Sequence, residues 1–417
     1  MTTALKRPDW LEAQRARGAA RFAENGLPTQ RREAWKYTGL NMLREMGFAP
    51  AETPVARPAS IPAPLIAGPI DRMVFADGRL VDAKIGDLPP GVILGGLNDV
   101  LAKTPNAVEP LFGKLADIER HPMVALNAAW VEDGFVLTVP DGVTLERPIE
   151  IVFFGGGKHA FHPRHLIRIG ANARATVIER YLGGGDAGFA NHTAEIAVGD
   201  GATLRHFILH GETDTALAVA TSTVEIGRDA SYRGFALTMG GGLIRRECEA
   251  RLKGSGGTCH LDGAYLVDGA RHADTTNLID HQAPHCASRQ TQKGVIGDRG
   301  RAVYQGKILV RQAAQKTDGY QLSKTLLLSP HAEIDVKPEL EIYADDVKCS
   351  HGATSGQIDA DALFYLRARG VPAREARALL IQGFIDGALD EIDAVSVRDA
   401  FKDAAAGWLS SRGGTAS

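Results

Sequence analysis

Apolar and polar residues alternate without a break from His331 to Tyr343. Ala332, Ile334, Val336, Pro338, Leu340 and Ile342 fall on one face, and His331, Glu333, Asp335, Lys337, Glu339, Glu341 and Tyr343 on the other. Period two over this length predicts a strand with one apolar face, and its polar edge is suited to meeting a partner. Upstream, four segments share a shorter form of the pattern: β-rich residues, a glycine turn and another apolar run. Their turns fall at Gly142, Gly170, Gly199 and Gly227, spaced 28, 29 and 28 residues apart, and Gly254 follows after 27. A fixed period in the twenties predicts stacked coils, because one coil cannot bury its apolar face alone. The expected fold is mainly β, a right-handed parallel β-helix over 120–350 with helical regions on either side. A β-sandwich of irregular hairpins is the alternative.

The N-terminal region, 1–119, reads as mostly helical. Helices are expected over Pro8–Phe22, over Gln30–Tyr37 with Thr29 as N-cap, and over 96–118. A Pro/Ala-rich linker spans 50–66, and a short β segment spans Arg72–Val81. The C-terminal region, 351–417, reads as helical again. Asp359 is its first N-cap, Gly370 a stop, and Pro372 opens a second helix carrying Leu379, Leu380, Phe384 and Leu389 at helical spacing.

Composition narrows the function. Apolar residues make up 44% of 417, enough for a sizeable core, and the net charge of −3 argues against a nucleic-acid binder. No run is long and apolar enough for a membrane span, and the first residues lack an apolar signal core, so a cytoplasmic protein is expected. The four cysteines, Cys248, Cys259, Cys286 and Cys349, contain no Cys-x-x-Cys pair, so reduced thiols are expected and a paired-cysteine zinc site is not. The glycine clusters at 155–157, 183–185 and 240–242 read as solenoid corners. Gly157-Lys158 approaches a phosphate-binding loop, but His159 stands where Ser or Thr is required.

The chemistry concentrates near the end. Cys349 and His351 lie two apart on a strand-like segment beside Asp345 and Asp346, and residues two apart on a strand share a face. A thiol and an imidazole suit iron or zinc, yet two ligands do not close a site. Nucleophilic Cys–His catalysis is a second reading, weakened because such neighbours point in parallel. A structural role is the third. A further group, His281, His285 and Cys286, follows Cys259 by one coil, so Cys259 and Cys286 are expected to stack. Whether that group is anything more than interior packing stays open. No paired carboxylates or Ser–His–Asp set stands out. A β-helix enzyme acting on polysaccharide and a homodimeric structural protein remain competing readings.

Several longer motifs carry a resemblance. They are Gly26-Leu-Pro-Thr-Gln-Arg-Arg-Glu-Ala-Trp-Lys-Tyr37, His121-Pro-Met-Val-Ala-Leu-Asn-Ala-Ala129, Ile279-Asp-His-Gln-Ala-Pro-His-Cys286 and Ala314-Gln-Lys-Thr-Asp318, together with the stretch from Lys337 to Thr354. On these the chain resembles the SufB/SufD family of iron–sulfur cluster assembly proteins, and its SufD members more closely. The resemblance implies a non-enzymatic scaffold subunit with a β-helix core between helical domains. It implies pairing with a SufB-like subunit through the ends of the two cores, and an ABC-type, SufC-like ATPase docked on the C-terminal helices. It places the metal-facing histidine at His351, with Cys349 beside it, and a transient iron or iron–sulfur cluster at the subunit interface rather than a stably bound cofactor. The strand bearing Glu333, Asp335, Lys337, Glu339 and Tyr343 is the expected pairing surface, for a SufB-like partner or for a second copy in isolation. Phe364, Tyr365, Leu366 and Arg367 are expected at the ATPase contact. SufB-like chains carry a key cysteine in the strand that matches 319–328, and this chain has none there. A one-sided contribution to the cluster site is therefore expected.

Overall fold

The structure, a computed structural model, describes residues 7–47, 58, 60–155, 159–183 and 188–412. Most of the linker at 50–57 and the centres of two glycine clusters, at 156–157 and 184–185, lie outside the described residues, as does Lys158. The chain winds as a parallel solenoid of about seven turns, with helices at its N- and C-termini. Successive strands alternate between two long sheets, and each strand pairs in parallel with the one a full coil later. Two strands of about ten residues and two corners make up the period read from the sequence. At each corner the backbone of one coil sits on the next: the amides of Gly170, Gly199 and Gly227 donate to Val139, Ile169 and Val198. A Cβ on Gly199 would lie 2.9 Å from the Ala171 nitrogen, and one on Gly227 would lie 2.6 Å from Asp200 Oδ1, so stacking itself demands glycine there.

Inward-facing positions build the core inside the coils, including Phe135, Ile151, Val177, Ile196, Val224, Cys248 and Cys259. Helices cover the flanks. Helix α1 (Asp9–Asn25), α2 (Asn41–Met46), α3 (Leu97–Lys103) and α4 (Pro122–Trp130) belong to the N-terminal region. There Trp35, Leu43 and Met123 pack with Phe189, Leu217 and Leu243 of one sheet. At the other end, Asp359 caps α5 (Ala360–Ala368) by accepting from Asp361 N at 2.9 Å, as expected, and Gly370 stops it at φ +89°. Helix α6 (Ala373–Leu389) and α7 (Val395–Arg412) fold back on the second sheet, placing Ile381, Ile385, Leu389 and Phe401 against Phe207, Phe235 and Val295.

Five boundaries differ from the sequence reading. The helix expected over 96–118 is confined to Leu97–Lys103, because Pro105 stops it and opens a 3-10 turn. Residues 122–130 are helical rather than part of the solenoid, because Pro122 opens an Ala-rich turn. Strands Asp71–Ala76 and Ile93–Gly96 join the two sheets, so the N-terminal region contributes to the solenoid. The Gln30–Tyr37 helix shrinks to the 3-10 turn Glu33–Trp35 without a Thr29 cap, since Trp35 is drawn onto the Arg245 guanidinium, 3.9 Å from its ring centre. The solenoid runs on through His351 to Gly356, because the small residues of that stretch continue in register with Gln321–Leu326.

Polar anchors under the N-terminal region set its position. Arg164 and Glu195 form a fully buried ion pair at 2.6 Å, and Glu195 also accepts from the amides of Gly113, Leu115 and Ala116. Changing Glu195→Ala strands a buried guanidinium and three amides. We expect a loss of about 3–5 kcal/mol in urea unfolding. His121 lies 3.6 Å from both Glu247 and Glu249. Burial pushes its pKa down, but the two carboxylates outweigh burial and raise it to about 9 from 6.5. A raised histidine pKa stabilises fully below about 6.5 and loses its contribution as pH climbs through 9. The melting-temperature gap between wild type and His121→Gln should therefore be widest near pH 6 and close above pH 9.

Candidate functional site

A stack of strands has two ends, and they differ here. At the N-terminal end antiparallel strands Arg79–Lys84 and Ile93–Gly96 terminate the sheets. At the C-terminal end both sheets stop on parallel strands, Glu333–Ile342 in one and Lys348–Gly356 in the other. Each presents an unpaired edge, and most of Lys348–Gly356 is exposed.

The inward faces of these two strands form the floor of the open end. Ile334, Val336, Pro338, Leu340 and Ile342 stand in register with the interior residues Ala302, Tyr304, Gly306, Ile308 and Val310. Cys349 and His351 stand in register with Gly319 and Gln321 on the interior face of the preceding strand. The expectation that they share a face is met, and a corner does separate them from the alternating strand. Cys349 is half-buried beside Ile308, Val310 and Ala344, and burial raises its thiol pKa. His351 is exposed and has no hydrogen-bond or ion-pair partner among the described residues. Below it the buried Gln321 keeps an unpaired carbonyl oxygen.

The carboxylates do not join this pair. Asp345 is exposed on the corner, and Asp346 pairs with Lys316. No group of three or more His, Cys, Asp or Glu among the described residues is arranged to hold a metal ion. Two potential ligands thus share the inward face of a terminal strand at an end that no described residue closes.

The other anticipated residues lie elsewhere. Glu333 and Asp335 reach Arg301 at 3.4 and 2.7 Å, Lys337 reaches Glu33 at 2.5 Å and Glu339 at 3.4 Å, and the Tyr343 hydroxyl donates to Glu341. These polar side chains occupy the outer flank, whereas the open end offers backbone edges and the apolar row. Phe364 and Tyr365 on α5 are 73% and 58% exposed, with Leu366 half-buried and Arg367 exposed. Cys259 and Cys286 do not stack: Cys259 is in register with Ser288, while Cys286 sits on the corner before that strand and its thiol donates to Gly254 O at 3.2 Å. His285 lies on the same corner at φ +60°.

Profile comparison matches residues 152–384 to the SUF system FeS cluster assembly SufBD core domain, and residues 72–151 to the SufBD protein N-terminal region. The chain belongs to the SufB/SufD family. Among its relatives, the iron-sulfur cluster assembly protein SufD of Escherichia coli is 32% identical over 86% of this chain and 84% of its own length. A SufBD family protein of Synechocystis is 30% identical over 89% and 85%, and a chloroplastic protein of Arabidopsis thaliana is 27% identical over 96% and 86%. Membership places this SufB/SufD chain in iron–sulfur cluster assembly, as a scaffold-type component that works with other subunits of that system. No helix among its described residues is long and apolar enough to cross a membrane.

Sequence reasoning missed the polar interior. His165, Glu179, Tyr181, His192, His206 and Arg246 line cavities within the coils. A signal existed, since Tyr181 and His210 are cross-strand partners one coil apart, as are His192 and Ala220. Reading it required the register, which glycine spacing alone leaves ambiguous by a residue or two.

The four thiols are chemically unequal. Burial pushes Cys248 up to about 12 and Cys259 well above its ordinary value, and it also raises Cys286. We expect one fast-reacting thiol with Ellman's reagent in the native chain, lost in Cys349→Ser, and all four after denaturation.

Proposed function

We propose that this chain is a non-enzymatic scaffold subunit whose open solenoid end pairs with a SufB-like subunit to enclose a nascent iron–sulfur cluster. The observation that carries this reading is the incomplete ligand pair at an unclosed sheet end: Cys349 and His351 share an inward face beside two free strand edges. Free edges are completed by strand addition from another chain, with main-chain hydrogen bonds for affinity and alternate side chains for specificity. The apolar row ending at Ile342, which is 39% exposed, supplies the area to bury. A partner strand across this end brings the missing ligands. The iron or cluster is cargo here, held at the junction and released, not a resident cofactor of this chain. His351 is the primary ligand, since an imidazole without protein partners can turn its nitrogen to iron. Cys349 is the secondary one, a half-buried thiol that metal binding would deprotonate.

On the same reading, Phe364 and Tyr365 on α5 form the contact for a SufC-like ABC ATPase. A ligand set divided between two chains can then open and close with the nucleotide cycle as a shift in population. Without its partner, the same edge is available to a second copy of the chain.

Two substitutions test this separately. Ile342→Asp places a charge in the apolar row. It should weaken capture of the SufB-like subunit tenfold or more, about 1.4 kcal/mol at least, in a titration with purified subunits. His351→Ala should leave assembly with the SufB-like and ATPase subunits intact while lowering the iron recovered with the complex several-fold. Wild-type iron content and cluster delivery from that variant would sink the ligand assignment.

A further inference from the structure

Three cavities lie end to end inside the coils. The first is bordered by Phe153, Tyr181, His192, Glu212 and Leu217. The second is bordered by Glu179, His192, Ala220, Thr221, Ser222 and Arg246, and the third by His206, Ser222, Tyr232, Arg246 and Cys248. Tyr181 and His192 are common to the first two, and Ser222 and Arg246 to the second and third. The inner two measure about 10 and 20 Å³, about the room for one or two water-sized occupants.

The column of register partners explains the gap. His192, Ala220 and Arg246 occupy equivalent positions on three successive coils. Coils stack at about 4.8 Å, so the two long side chains start about 10 Å apart with only a methyl group between them. Arg246 lies between Ile244 and Cys248 on the inward face of its strand, and the surface it keeps borders the cavities.

A guanidinium stays charged in a protein interior. Among the described residues no hydrogen bond or close ion pair engages Arg246, and the nearest acidic influence is the through-space charge of Glu179. The carboxylates that border the cavities are taken: Glu179 is held by the Tyr181 hydroxyl and by His206 Nε2 at 2.8 Å, Glu212 by His210 at 2.8 Å, and Asp262 by the Thr291 amide at 2.7 Å. His192 Nε2, which borders the same space, is also without a partner. A half-buried cation that faces an enclosed lumen without a contact ion gains from any opposite charge or hydrogen-bond acceptor that reaches it.

We propose that the lumen at Arg246 binds a monovalent anion of one heavy atom, of halide size. Arg246 supplies the charge, and Ser222 and His192 supply donors around it. The cavity volume rejects tetrahedral oxyanions and carboxylates. The site uses no residue of the solenoid end and stands or falls independently of the assembly reading.

Bromide is the probe, because it scatters anomalously and fits where chloride fits. Crystals of the full chain grown in sodium bromide should show an anomalous peak in contact with the Arg246 guanidinium. Bromide peaks confined to the outer surface, with water alone at Arg246, would overturn the proposal. In solution the melting temperature should rise with the logarithm of bromide when bromide replaces gluconate, too large for the cavity, at constant ionic strength. Arg246→Met should abolish that response and Arg246→Lys should keep part of it. An equal response in Arg246→Met and wild type would also overturn it. The crystal experiment needs only the wild-type chain, so a variant that fails to fold leaves the test intact.

Discussion

Parallel strands stacked in coils satisfy one another's backbone groups only while another coil follows. The last coil has no such neighbour, and its N–H and C=O groups face outward along both sheets. Repeat architectures usually meet this constraint with a capping unit. Here the N-terminal end finishes in antiparallel strands, while the C-terminal helices bypass the opposite end and pack on a flank through Ile381, Ile385 and Phe401. The open end therefore exists because the residues that follow the solenoid are committed elsewhere. That geometry leaves Cys349 and His351 uncovered.

The interior obeys a second constraint. Inward positions in a narrow coil are desolvated whatever residue occupies them, so polar groups there must be paired or hydrated. Most are paired: His206 bridges Glu179 and Tyr232, and His281 meets Ser288 at 2.9 Å. The first fastens one coil to the next and the second ties the two sheets of one coil, by directional bonds that apolar stacking alone does not provide. The flanks use the same device on a larger scale. The Arg164–Glu195 pair and the Arg245–Asp274 pair lie beneath the N-terminal segment and fix its position on the sheet. A few interior polar atoms, among them His192 Nε2 and Gln321 Oε1, are the exceptions.

Much of this was legible in the chain. The spacing of Gly170, Gly199 and Gly227 reports the coil, since each glycine sits where the backbone below leaves no room for a Cβ. The alternation at 331–343 reports the last strand of one sheet, correct to a residue or two at each end. Cys349 and His351 could be placed on one face because period two survives any tertiary arrangement. Other features were hidden for physical reasons. Helix 122–130 reads as apolar as a strand, and its packing against the sheet adds to the local signal of Pro122 in deciding between them. The Cys259–Cys286 spacing matched a coil, yet the corner absorbs the difference in length and moves Cys286 out of register. The intrachain ion pairs of Glu333, Asp335 and Lys337 with Arg301 and Glu33 join strands and segments distant in sequence, so no local pattern reports them.

The sequence by itself determined the period, the strand faces and the family, because each depends on residue identity and local spacing. Which end of the solenoid stays open was not determined that way, nor which polar side chains meet inside it. Both follow from where distant segments dock: α6 and α7 on one sheet, the turn at Trp35 on the other, His192 two coils from Arg246. Such contacts span tens to hundreds of residues and are set by shape and burial, which no local pattern encodes. Only the tertiary structure could leave Cys349 and His351 side by side at an unclosed end.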